Sequence, residues 1–249
     1  MTKWQIEGEL RNGEGELLDF RFHGCEGDSD ALVLIGHGVT ANKDREWAIT
    51  LSETLARSGV SSLRFSFAGN GQSEGAFEAS CPTKETRDAE AVLDFVCAQN
   101  RQHKGRILFA GHSMGAAVGV LLAARDKRLA GLISLAGMVH TAEFAQRKFG
   151  AQHAGASFMW DLPLCPLSQA FLDDMETVGS VLSLGREIQV PWLLVHGTAD
   201  TVVPIQESKE IAQQAPNSAF EAIPEADHIF STTADEMARI VCDWIQLQS

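Results

Sequence analysis

The sequence predicts an α/β fold, a mostly parallel sheet with helices on both faces. Three observations carry this expectation. From residue 31 onward, short apolar runs alternate with longer segments of helical character. Near the middle, an apolar run passes through Gly111-His112-Ser113-Met114-Gly115 into a small-residue run, which reads as strand, sharp turn and helix. Two later apolar runs end in a turn that carries Asp200 and a loop that carries His228.

The elements follow in order. Extended segments 3–10 and 16–23 read as an antiparallel hairpin around Asn12-Gly13. Strand 31–36 leads to a helix over 43–58 that stops at Gly59. Strand 60–67 leads through a glycine-rich loop to a helix over 83–100. That helix opens with Pro82 and Thr83 and has an apolar face of Ala89, Val92, Leu93 and Val96. The serine-bearing strand and its helix come next, then strand 130–136, and two strand–helix units close the chain. Residues 138–186 break the rhythm. This segment is too long for a plain connection, so it should fold by itself. With no repeat, low-complexity tract or linker in view, residues 1–249 read as one domain with a cap-like insertion at 138–186.

The chemistry starts at Ser113. A serine hydroxyl is a weak nucleophile that needs a base, and the base needs an orienting group. In a strand–turn–helix elbow the serine stands at the strand's C-terminal end, and the helix start turns backbone N–H groups toward a developing oxyanion. Asp200 ends the run Val190 to Asp200, and His228 ends the run Phe220 to His228. Both follow strand ends, which gather on one edge of a parallel sheet. The expected triad is therefore Ser113, His228 and Asp200. Asp227 adjoins His228 and is poorly placed to reach its ring; Glu221 and Glu225 are weaker candidates still. Met114 and Val39 are expected to supply the oxyanion N–H groups, Val39 from the loop after strand 31–36. His37 and His196 should line the site edge and bond to backbone, and His112 should pack sideways. None of the histidines has metal-ligand spacing.

The loop His37 to Asn42, the segment Arg64 to Ser73, Gly-His-Ser-Met-Gly, His-Gly-Thr-Ala-Asp and Ala-Asp-His occur in the order seen in the α/β-hydrolase superfamily. Over essentially its full length the chain resembles that superfamily. It looks most like small bacterial serine esterases of the cinnamoyl/feruloyl type, and more distantly like monoacylglycerol lipases and serine aminopeptidase-like hydrolases. The resemblance implies an eight-stranded, mostly parallel sheet and a lid or cap at 138–186. It also implies hydrolysis of carboxylic esters, with aryl or medium-chain acyl groups by analogy. Two positions depart from many relatives: Ser66 stands where Asp is common, and Ala116 where a further Gly is common.

Substrate contacts are expected from Phe158, Trp160 and Asp161 in the insertion, with apolar surface set beside a carboxylate, and from Phe67. No cofactor or metal is required by this chemistry. The partner is a small ester molecule. A net charge of −13 and no Lys/Arg run argue against nucleic acid and anionic membrane. No apolar stretch approaches a membrane span, and Met1 to Glu9 lacks the apolar core of a signal peptide. Five widely spaced cysteines without Cys-x-x-Cys fit free thiols in the cytoplasm. Monomer and homodimer both stay open. Competing functions on the same residues are thioesterase, amidase, lactonase and acyltransferase, and a non-catalytic binding protein is the rival from another class.

Overall fold

The computed structural model describes residues 4–26 and 30–248. Its centre is a seven-stranded sheet formed by β1 (Phe20–His23), β2 (Ala31–Gly36), β3 (Ser61–Phe65), β4 (Arg106–His112), β5 (Leu129–Leu135), β6 (Trp192–Gly197) and β7 (Ser218–Ile223). The order is β1-β3-β2-β4-β5-β6-β7. β1 runs antiparallel to β3, and every other pairing is parallel.

The continuous apolar runs are explained by burial on both faces. In β2, Leu32 and Leu34 face one core while Ala31, Val33 and Ile35 face the other. β4 divides the same way, with Ile107 and Phe109 opposite Leu108 and Ala110. Helices α2 (Pro82–Gln99), α3 (Met114–Arg125) and α6 (Ile205–Gln214) cover the first core through Val92, Val96, Ala117, Val120 and Ile211. Helices α1 (Glu46–Arg57) and α7 (Ala234–Leu247) cover the second through Trp47, Leu51, Leu55, Met237, Val241 and Ile245.

The expected N-terminal hairpin is the main difference. Lys3, its first residue, lies outside the described residues. From residue 4 to residue 19 the pairing is reduced to one bridge, Arg11 with Leu17, and an eighth strand is not formed among the described residues. The turn at Asn12 does form, because its Oδ1 accepts from the N–H groups of Glu14 and Glu16. The incoming backbone is bound instead by the end of α2: Gln5 N–H donates to Asn100 Oδ1 and Glu7 N–H to Gln99 Oε1. Trp4 stacks on His103 with ring centroids 3.8 Å apart. Side chains at that helix end have taken the donors that a ladder would use. β3 likewise stops at Phe65, before the expected end at 67, because Phe67 N–H donates to His37 Nε2 and Ala68 N–H to Asp88 Oδ2.

The connection from β5 to β6 contains α4 (Thr141–Phe149), a 3-10 turn at Met159–Asp161, α5 (Gln169–Val178) and a second 3-10 turn at Leu182–Glu187. Phe144, Phe149, Met159, Leu167, Phe171 and Met175 form its own apolar cluster, which also touches Met114 and Val203. The segment thus packs over the C-terminal edge of the sheet. Glu207 at the start of α6 fastens its base by accepting from the N–H groups of Val139 and His140 at 2.7 and 3.0 Å.

Candidate active site

Four strand ends build the site. β4 leads into Ser113, β2 into the loop His37–Thr40, β6 into the turn of Asp200, and β7 into the loop of His228. Parallel strands put these ends on one edge.

Ser113 has φ 54° and ψ −119°, a conformation that costs a non-glycine residue on the order of 1–3 kcal/mol. Its neighbours hold it there. The Ser113 N–H donates to Leu135 O at 2.9 Å, and its carbonyl accepts from Ala116 N–H at 3.0 Å and Met138 N–H at 3.1 Å. The turn is so tight that a Cβ on Gly111 would overlap the Gly115 carbonyl oxygen. The loop after β2 lies directly against the serine: a Cβ on Gly38 would meet Ser113 Cβ at 2.8 Å. Val39 and Met114 flank this close approach. Neither of their N–H groups donates to another residue among the described residues, which leaves both available to an external acceptor.

Asp200 is buried and fully engaged. Its Oδ1 accepts from the N–H groups of Val202 and Val203 at 2.7 and 2.9 Å. Its Oδ2 accepts from His228 Nδ1 at 2.8 Å and from His196 Nε2 at 3.1 Å. Burial alone would raise this carboxyl, but the hydrogen bonds from His196, His228 and Val203 outweigh it and hold it well below the usual range. His196 Nε2 also lies 3.0 Å from Val203 O. Two acceptors at one nitrogen require a proton there, so Nδ1 takes the hydroxyl of Ser208 at 2.7 Å. Two imidazoles therefore share one carboxylate oxygen.

His228 is fixed at its backbone as well. Its carbonyl lies 2.8 Å from His112 Nε2, which must carry the proton. Burial pushes His112 down to about 3, so the ring is neutral. It packs against Trp47 and against the ring of His228, each at 4.8 Å between centroids. Asp227 bonds its own loop through Ser231 and does not compete for the ring. His37 is neutral too, lowered to about 4 by burial. It ties Phe67 N–H to the Gly38 carbonyl across its ring.

Ser113 and His228 wall a cavity of about 150 Å³ together with Gly38, Val39, Thr40, Ala41, Arg45, Trp47, His112, Phe144, Trp160, Val202 and Ile229. Among the described residues no hydrogen bond reaches the Ser113 hydroxyl. Such serine–histidine pairs commonly tighten only with substrate in place.

Of the four expected substrate contacts, Trp160 lines this cavity, 41% exposed and edge-on to Phe149 at 5.1 Å. The other three are corrections. Phe67 is fully buried against Phe65 and His37 beneath the site, because the chain turns inward after β3. Phe158 pairs with Pro166 in an isolated bridge, is 44% exposed and is not on the cavity wall. Asp161 is exposed at φ 57°, past the turn that points Trp160 inward, and is not on the wall. Ser66 braces the loop before α1: its Oγ accepts from Lys43 N–H at 3.1 Å.

Sequence reasoning missed Arg45, Trp47, Phe144, Val202 and Ile229 as wall residues, and the bond from His196 to Asp200. The spacing of His196, near the end of β6, four residues before Asp200 is the signal that could have found the latter. Among the described residues no group of three or more His, Cys, Asp or Glu is arranged to hold a metal ion.

Comparison with known proteins adds four matches. The family described as serine aminopeptidase, S33 matches residues 27–160. An uncharacterized Salmonella typhi protein, YfhR, is 26% identical over 209 residues, covering 80% of this chain. The chain spans 64% of that protein's length. Among solved structures, Est1E from Butyrivibrio proteoclasticus with ferulic acid bound superposes with a TM-score of 0.84 at 24% identity, over 97% of this chain and 99% of that one. The Pyrococcus furiosus esterase Pf2001 superposes with a TM-score of 0.78 at 22% identity, over 98% of this chain and 91% of that one. The fold is that of the α/β hydrolases.

Proposed function

The chain belongs to the serine aminopeptidase S33 family of hydrolases, and from that premise we propose that it is a serine esterase acting through Ser113, His228 and Asp200. One observation carries the reading: the Asp200–His228 hydrogen bond of 2.8 Å ends at a cavity whose floor is the strained Ser113. His228 takes the serine proton as the hydroxyl attacks the ester carbonyl. Asp200 holds the ring and stabilises the imidazolium, and the N–H groups of Val39 and Met114 receive the oxyanion. His228 then protonates the leaving alcohol, and water cleaves the acyl-enzyme by the same steps in reverse.

The wall favours an ester over the amino-terminal amide that the family description names. An aminopeptidase substrate brings an α-ammonium, which a carboxylate would neutralise. Among the described residues, no Asp or Glu lines the cavity, and its one permanent charge is the Arg45 cation. Trp47, Phe144, Val202, Trp160 and Ile229 offer apolar surface for a short acyl or aryl group. The ferulic acid bound to Est1E supports the aryl choice. We assign no cofactor, nucleic acid or membrane partner. The free cysteines support a cytoplasmic setting, and among the described residues no helix is long and apolar enough to cross a membrane.

The test is a panel of p-nitrophenyl acyl esters and hydroxycinnamate esters set beside aminoacyl p-nitroanilides. Higher kcat/KM on the esters, with the activity lost in His228→Ala, is the expected result. Preference for the anilides would return the chain to peptidase chemistry.

A further inference from the structure

We propose that Arg45 makes the cavity mouth an anion subsite, so that the preferred ester carries a carboxylate or phosphate beside its apolar portion. This rests on the esterase reading and narrows it to a substrate class.

Arg45 immediately precedes α1 and is exposed at the cavity wall. Its Nη2 donates to Thr40 O at 3.0 Å. A guanidinium has five N–H donors in a planar fork, so one carbonyl leaves most of them for another acceptor. Among the described residues no carboxylate pairs with Arg45, unlike Arg11, Arg64, Arg106 and Arg128; Arg21, Arg57, Arg101 and Arg186 also lack such a partner, but Arg45 is the one of them on the wall of the Ser113 cavity. The contrast is sharpened by composition. The chain has 33 acidic and 20 basic residues, yet its acids are kept off this wall. Glu46 shares an adjoining pocket with Arg45, but on the Ser113 cavity Arg45 is a cation without a salt-bridge partner beside the apolar surface of Trp47, Phe144, Val202 and Ile229, a setting that attracts anions and concentrates them locally.

Position gives the charge a role in selection. Thr40, the anchor of Nη2, has φ 56° and belongs to the same loop as Val39. The cation is therefore held in fixed relation to the N–H expected to meet the oxyanion. A substrate whose ester carbonyl reaches Ser113 can place its anionic end at Arg45 only if the two are separated by the apolar part. Trp47 and Trp160, which share the wall with Arg45, would flank that part.

Matched ester pairs test this. The first is p-nitrophenyl butyrate against the p-nitrophenyl monoester of glutarate, with the carboxylate on the acyl side. The second is phenyl acetate against p-acetoxybenzoate, and the third phenyl acetate against p-acetoxyphenyl phosphate, with the anion on the alcohol side. Wild type should prefer the anionic member of at least one pair by about ten-fold in kcat/KM at low salt, through KM. Roughly 0.5 M salt should shrink that ratio. Arg45→Gln should abolish the ratio and Arg45→Lys should keep part of it. The pair that responds identifies the anion and the side it occupies. No preference in wild type on any pair, or an unchanged ratio in Arg45→Gln, overturns the proposal. An equal fall on both members in both variants also overturns it, since that result means Arg45 only braces Thr40. Wild-type hydrolysis of the neutral members reads the esterase assignment separately. If they are cleaved without anionic preference, only the subsite fails.

Discussion

At the scale of single residues, the site works by removing choices. Asp200 has every oxygen occupied, and His228 is fixed at Nδ1 by that carboxylate and at its carbonyl by His112. His196 matters because its Nε2–H shares Oδ2 with His228 and its far nitrogen is taken by Ser208. His196→Asn should strand buried acceptors at a cost of about 1–3 kcal/mol of stability. It should also lower kcat roughly ten-fold with KM little changed, because the substrate wall is untouched. Thermal unfolding and steady-state kinetics on one preparation check both. A variant with wild-type kcat would remove His196 from the positioning of Asp200. The placing of Ser113, Asp200 and His228 on one edge is legible in the sequence because Ser113 directly follows β4 and the other two lie in short loops after β6 and β7, and a strand's end fixes which edge of a parallel sheet its loop reaches. The placing of Phe67, Phe158 and Asp161 is not. Their local backbone depends on partners remote in sequence or on a turn that local pattern does not encode: Phe67 N–H bonds His37, Phe158 bridges Pro166, and Trp160 and Asp161 both take a positive φ.

At the scale of elements, α2 carries an unusual acid. Glu85 is fully buried, accepts a side-chain bond from Ser80 at 2.7 Å, and its Oε2 has no partner among the described residues. Burial raises its carboxyl well above the usual value of 4.5, against the opposing bond from Ser80. Below the ordinary value the acid is neutral in both folded and unfolded chains. As pH rises past that value the unfolded chain ionises first, so stability is lost until the folded acid ionises too. Glu85→Gln mimics the neutral acid. It should raise the melting temperature at about pH 8 and leave it nearly unchanged near pH 4. Equal effects at both pH values would contradict the neutral assignment.

The insertion invites a different test. Its aromatics form its own core, and Trp160 is the one expected substrate residue that reaches the cavity. Trp160→Ala should raise KM for apolar esters, at about 25 cal/mol for each Å² of apolar surface that the substrate no longer buries, with kcat little changed. An unchanged KM across short and aryl esters would make Trp160 a packing residue of the cap. The alternation of strands and helices is legible because buried parallel strands read as continuous apolar runs. The fate of the N-terminal segment is not, because its donors go to Gln99 and Asn100, a long-range competition that local pattern does not encode.

At the scale of the molecule, the sheet brings four strand ends together and the segment between β5 and β6 adds Phe144 and Trp160 to the cavity wall. The backbone strain at Ser113 is held by Leu135, Ala116 and Met138. The proposed chemistry depends on the hydroxyl of Ser113 being the group that is acylated. The direct measurement is intact-mass spectrometry after reaction with a fluorophosphonate. We expect one adduct on the wild-type chain and none on Ser113→Ala. That variant should also lose about 10⁴-fold or more in kcat on esters. A single adduct of equal yield on Ser113→Ala would place the nucleophile elsewhere and contradict the assignment.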